Sequence, residues 1–161
     1  MKTIIVSGSV CTGKTTLAKL IAKHPDFKYI DVNEVIKSKN LCESYDKERK
    51  CNVIDEKKLA KVLIEMIKKS EKNLIIDSHM SHFIPAKYVD LCIIAKCSLK
   101  TLKARLQERG YSENKVRENL EAEIFDTCLI EAEEMKHNIL IIDTTEGTPE
   151  NLINQIQQRL K

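Results

Sequence analysis

Residues 8–16 read Gly8-Ser9-Val10-Cys11-Thr12-Gly13-Lys14-Thr15-Thr16. Before them, Thr3–Ser7 is a short apolar run ended by Gly8, the pattern of a buried parallel strand. After them, Thr15–Lys23 sets Leu17, Leu20 and Ile21 at helical spacing. Gly-x-x-x-x-Gly-Lys-Thr between a buried strand and a helix is a phosphate-binding loop. Phosphate oxygens need several donors at close range, and successive backbone N–H groups in a curled loop supply them. Gly13 lets the backbone approach closely, Lys14 can reach the β- and γ-phosphates, and the Thr15 hydroxyl is placed to ligate Mg2+. Thr16 adds a hydroxyl and an N–H near the α-phosphate. The alternative is a chance glycine-rich turn before a helix, and the strand–loop–helix context argues against it. ATP with Mg2+ is the expected ligand.

Outward from the loop, strands and helices alternate. Phe27–Asp31, Asn73–Asp77, Val89–Ala95 and Ile139–Ile142 read as further buried strands. Helices are expected at Val32–Lys39, after the cap Asp55, and from about Leu99 to Arg109. A long helix capped by Ser112 is expected to reach about Lys136, and a last one is capped by Thr148 with Pro149 at its first position. Asn40–Asn52 reads as a charged, irregular excursion. The pattern implies an α/β P-loop fold, a five-stranded, mostly parallel sheet covered by helices on both faces.

With 161 residues, 42% of them hydrophobic and 32% charged, the chain suits one soluble domain. The net charge of +3 neither demands nor excludes a nucleic-acid partner. Six cysteines (11, 42, 51, 92, 97, 128) form no Cys-x-x-Cys pair, and Cys92 and Cys128 fall in apolar stretches as small hydrophobes. The first residues lead straight into the phosphate loop and resemble no secretory signal. No apolar run approaches the ~20 residues of a membrane span. A cytoplasmic protein with reduced thiols is expected.

Three further groups carry chemistry. Asp77 ends an apolar strand, where an acid can hold Mg2+ opposite Thr15, and ligands of open α/β sheets bind outside the carboxyl ends of strands. His79 and His82 follow it. A transition-metal site is the weaker reading of the pair, and His79 reads as a group that orients a nucleophile or water, or as a plain loop histidine. Lys103, Arg105, Arg109, Lys115 and Arg117 surround Arg109-Gly110-Tyr111. Arginines closing over a transferring phosphoryl group stabilise its charge, with Gly110 a plausible hinge. Arg109 is the first choice there and Arg105 the second, although interleaved glutamates also fit a solvated helix pair. Lys37, Lys39 and Arg49 sit where an acceptor phosphate could bind, or are simply surface charge.

Beyond the loop, Asp31-Val32-Asn33-Glu34, Val53-Ile54-Asp55-Glu56, Asp77-x-His79, Phe83-x-Pro85, Arg109-Gly110-Tyr111-Ser112-Glu113 and Glu118-Asn119-Leu120-Glu121-Ala122-Glu123-Ile124 follow in order. Together they resemble the small atypical adenylate kinases of archaea and eukaryotes, over nearly the whole chain. The resemblance implies transfer of the terminal phosphate of ATP to AMP, with some tolerance of other monophosphates, and ATP hydrolysis. It also implies a role in small ribosomal subunit maturation and rRNA processing, through a small-subunit ribosomal protein, with pre-ribosomal RNA as a further candidate partner. ATP-binding roles carry over to Gly13, Lys14, Thr15 and Thr16, with Cys11 and Arg109 beside them. Catalytic roles fall on Lys14, Asp77, His79 and Arg109, and metal binding on Thr15 and Asp77. Residues of about 31–52 form the monophosphate segment and about 109–119 the lid. The chain departs from the family pattern in three places: Cys11 stands in place of a glycine, Ser78 and His82 in place of a tyrosine and an aspartate, and Lys37 in place of an arginine.

Overall fold

Short runs of isoleucine, leucine and valine build the sheet of the computed structural model, which describes residues 1–48 and 51–160. The strands are β1 (Thr3–Ser7), β2 (Phe27–Asp31), β3 (Cys42–Asp46), β4 (Cys51–Ile54), β5 (Asn73–Asp77), β6 (Leu91–Lys96) and β7 (Ile139–Asp143). Five of them form one parallel sheet in the order β2-β5-β1-β6-β7. The helices are α1 (Lys14–Ile21), α2 (Val32–Ser38), α3 (Glu56–Lys69), α4 (Leu99–Glu108), α5 (Glu113–Ile124), α6 (Thr127–Glu134) and α7 (Leu152–Arg159).

Side chains alternate across a strand, so β1 feeds two cores. Ile4 and Val6 pack with Leu17 and Ile21 of α1 and Leu152 and Ile156 of α7. Ile5 points the other way, with Leu59 and Leu63 of α3, Val35 of α2 and Ala132 of α6. Each fully buried Leu or Ile contributes about 1.5–3 kcal/mol. Both faces of the sheet are therefore covered, as a parallel sheet requires. Register sets the functional edge: Val6 and Asp31 both pair with Asp77, and Ser7 pairs with Ile94. The last residues of β1, β2 and β5 thus open into one crevice.

Four expectations are corrected. The excursion after α2 is ordered in part as an antiparallel hairpin of β3 and β4. Its outward polar residues hide the strand period, and Arg49, read above as an acceptor-phosphate position or surface charge, lies outside the described residues. The long helix is two helices, because Asp126 takes a left-handed φ of 51° that an α-helix cannot continue through. The last helix starts at Leu152, with Thr148 and Pro149 in the loop before it. The fourth strand starts at Leu91, because Ala86–Tyr88 forms a 3-10 turn whose cap is Val89.

Candidate active site

Gly8 leaves β1 with φ 137°, and a Cβ there would lie 2.4 Å from the Ala95 carbonyl oxygen, so only glycine fits. Cys11 takes φ 64° and Gly13 φ 89°, which curls the loop into the start of α1. That helix begins with no side-chain cap and no acid in its first turn, leaving a positive end open to an anion. Ser9 closes the loop from inside. Its carbonyl oxygen accepts hydrogen bonds from the Thr12 hydroxyl at 2.7 Å and from the Lys14 ammonium at 2.8 Å. Burial lowers the Lys14 pKa, and the nearby Asp77 charge offsets part of that.

Opposite the loop, Asp77 Oδ2 accepts from the Thr15 hydroxyl at 2.6 Å and the Tyr29 hydroxyl at 2.9 Å. Burial, then the Asp77 charge, raises the Tyr29 phenol well above its usual range, so Tyr29 remains a donor. Asp77 Oδ1 makes no hydrogen bond among the described residues. A hydroxyl and a carboxylate side by side are an oxygen donor set that suits a hard divalent cation. No group of three or more metal-ligating His, Cys, Asp or Glu side chains occurs among the described residues.

His79 and His82, neighbours in sequence, separate in space. His79 lines the crevice with Asp77, Ser78, Asn33, Lys14, Thr15, Thr16, Arg109 and Tyr111, around a cavity of about 280 Å³. Desolvation by the surrounding crevice, then the Lys14 ammonium, pushes its pKa down to about 4. The residue is nevertheless exposed, so the neutral ring is reachable by water. His82 is buried instead. Its Nδ1 accepts from the Ser7 hydroxyl at 2.7 Å and its Nε2–H donates to Glu131 at 2.8 Å. Burial pushes His82 down to about 4, so the contact with Glu131 joins a neutral ring to a carboxylate.

Of the five basic residues around Arg109-Gly110-Tyr111, Arg109 borders the crevice beside His79, and Arg105 borders the cavity next to it. Arg105 donates to the Thr144 carbonyl at 2.7 Å and to the Cys11 carbonyl at 3.4 Å. Arg109, the residue after α4, is held through its backbone N–H to the Arg105 carbonyl, while its side chain makes no hydrogen bond or ion pair among the described residues and borders both main cavities. The other three fit the solvated helix pair: Lys115 lies 4.8 Å over the Tyr111 ring, Arg117 pairs with Glu121, and Lys103 lines an outer groove. Lys37 and Lys39 are exposed at the end of α2.

A second cavity of about 510 Å³ continues past the loop, bordered by Cys11, Gly13, Thr16, Arg105, Arg109, Thr144, Gly147 and Thr148. Together the two cavities offer a phosphate end beside Lys14 and a wider end beyond Arg105. The residues missed from sequence are Tyr29, Ser9, Glu123, Asn33 and Thr144. Asn33 already stood in a quoted motif, whereas nothing in the spacing marks Tyr29 or Thr144.

The family model described as an AAA domain matches residues 4–126. A protein of Methanocaldococcus jannaschii named "Putative adenylate kinase" is 37% identical over 158 residues, covering 98% of this chain and 85% of that one. The "Adenylate kinase isoenzyme 6 homolog" of Caenorhabditis elegans is 36% identical over 153 residues, covering 92% and 84%. The chain belongs to the small atypical adenylate kinase family of archaea and eukaryotes. A solved structure described as a "putative kinase" of Chloroflexus aurantiacus matches with a TM-score of 0.58 at 17% identity, covering 99% and 98% of the two chains. That likeness shows the fold alone, in keeping with the P-loop sheet of this adenylate kinase relative.

Proposed function

We propose that this protein is a nucleoside-monophosphate kinase that transfers the terminal phosphate of Mg-ATP to AMP, with ATP hydrolysis as a side activity. One observation carries the reading: Lys14, Asp77, His79 and Arg109 border a single cavity. An oxygen of the acceptor phosphate attacks the γ-phosphorus in line, and the bond to the β,γ-bridging oxygen breaks, leaving two diphosphates. The Lys14 ammonium exchanges the Ser9 carbonyl for phosphate oxygens, and the loop N–H groups hold the rest. Arg109 supplies a planar fork to the charge that spreads over the transferring group. Mg2+, held by Thr15 and Asp77, would neutralise phosphate charge when bound. His79, neutral and reached by water, can accept a hydrogen bond from water, which is the route to hydrolysis.

A coupled assay with ATP and each of AMP, GMP, CMP and UMP tests this. ADP formation should rise with AMP above the rate of ATP alone. If none of the acceptors raises it, the kinase reading fails.

A second reading adds the assembly role that the resemblance implies. It is favoured by Ile124, Phe125 and Ile130 at the corner of α5 and α6, large apolar side chains with Phe125 68% exposed, which a protein partner could cover. Small-subunit maturation that proceeds normally with Lys14→Ala would exclude a nucleotide-driven part in it.

A further inference from the structure

Glu123 lies in the last turn of α5 and is 7% exposed, an unusual place for a carboxylate. Its Oε2 accepts from the Ser9 hydroxyl at 2.8 Å, across 114 residues of sequence. Its Oε1 has no hydrogen-bond partner among the described residues. A buried carboxylate with only one oxygen satisfied is a cost that a fold keeps where the contact serves something. What it serves is visible at Ser9, whose carbonyl holds both the Thr12 hydroxyl and the Lys14 ammonium. Fixing the Ser9 side chain fixes the peptide that sets where Lys14 waits.

The same helix pair grips the neighbouring strand ends. Asp126, between α5 and α6, pairs with Lys96 at the end of β6, and Glu131 reaches Ser7 through His82. Ser7 and Ser9 flank Gly8, so the strained glycine is held on both sides. Of these contacts only that of Glu123 lands inside the phosphate loop.

We infer that Glu123 is a positioning residue for ATP: it clamps Ser9 from the last turn of α5, and so presets the phosphate loop. The inference rests on the reading of the loop as an ATP site. It predicts that Ser9→Ala and Glu123→Ala each weaken Mg-ATP binding about tenfold, and that the double variant is no weaker than either single, because one contact is lost in all three. Ser9→Thr keeps the hydroxyl and should bind as the parent does.

The measurement is the Kd of Mg-ATP by calorimetry on the full chain, beside thermal melts of each variant. A parent chain that binds no ATP sinks the functional reading itself. A parent that binds, with Ser9→Ala binding equally well, overturns the clamp alone. Losses that add in the double variant also overturn it, since they mean independent effects. A lower melting point with unchanged Kd would show a purely structural role. Should Glu123→Ala fail to fold, Ser9→Ala against Ser9→Thr decides the question.

Discussion

Cys11 occupies a left-handed backbone position, φ 64°, that usually favours glycine. For a residue with a Cβ this costs about 1–2 kcal/mol. The side chain recovers part of that by packing with Cys97, Leu102, Leu106 and Val116. Cys11→Gly trades the strain against the packing, so unfolding in urea should place it within about 1 kcal/mol of the parent. Cys11→Val adds β-branching at the same φ and should lose about 2 kcal/mol or more. The arginines differ in the same plain way. Arg109 is exposed and its side chain makes no hydrogen bond or ion pair among the described residues, so Arg109→Ala should leave the melting point alone. If it stabilises the transferring phosphate, kcat/KM should fall about 10²-fold. Arg105 ties the Thr144 loop to the Cys11 carbonyl, so Arg105→Ala should lower stability by about 1–3 kcal/mol. Equal effects from both variants would contradict this division of work.

At the scale of elements, the break at Asp126 turns one expected helix into α5 and α6. A continuous helix would carry α6 straight on, away from β6 and the loop after β5. The turn instead brings Glu131 to His82 and Ala132 into the core. Asp126 tolerates the left-handed backbone and also pairs with Lys96. Asp126→Asn keeps the first property and loses the second, an expected cost of about 0.5 kcal/mol for a half-exposed pair. Asp126→Ala loses both and should cost about 1–2 kcal/mol, read as a shift in the urea midpoint. The reverse order would mean that the ion pair, not the backbone, holds the turn. The β3–β4 hairpin was equally hidden from pattern reading. Its described side chains in β3 are mostly exposed, so no inward apolar alternation marks them.

Across the whole molecule, the buried histidines set the response to acid. His82 is 1% exposed, and burial holds its folded pKa at about 4, below the ordinary value of 6.5. The folded state therefore favours the neutral ring. That stability is fully present above about pH 6.5 and is lost as the pH falls toward 4, where the unfolded chain binds the proton and the folded one does not. The loss should be on the order of 3 kcal/mol, followed by urea midpoints across that window. His137, also lowered by burial, adds to the same direction. His82→Asn should flatten the slope by about one proton, even where its stability at neutral pH is lower. An unchanged slope would place the proton elsewhere.

The strands of the main sheet and the phosphate loop were legible in the sequence because each rests on local contacts: a run of Ile and Val, a glycine at a forced φ, a lysine after it. Asp77 was legible for the same reason, as the last residue of an apolar strand. The partners of these residues were not, because hydrogen bonds such as Tyr29 to Asp77 or Ser9 to Glu123 join chain segments 48 and 114 residues apart. Spacing also made His79 and His82 look like a pair, and the backbone after β5 sent one to the crevice and one to the core. By itself, the sequence determined a parallel sheet with a phosphate loop at its carboxyl edge, since strand period and backbone sterics act over a few residues. Only the tertiary structure decided which arginine borders the crevice, where α5 turns into α6, and what steadies Ser9, because those depend on which surfaces close over one another.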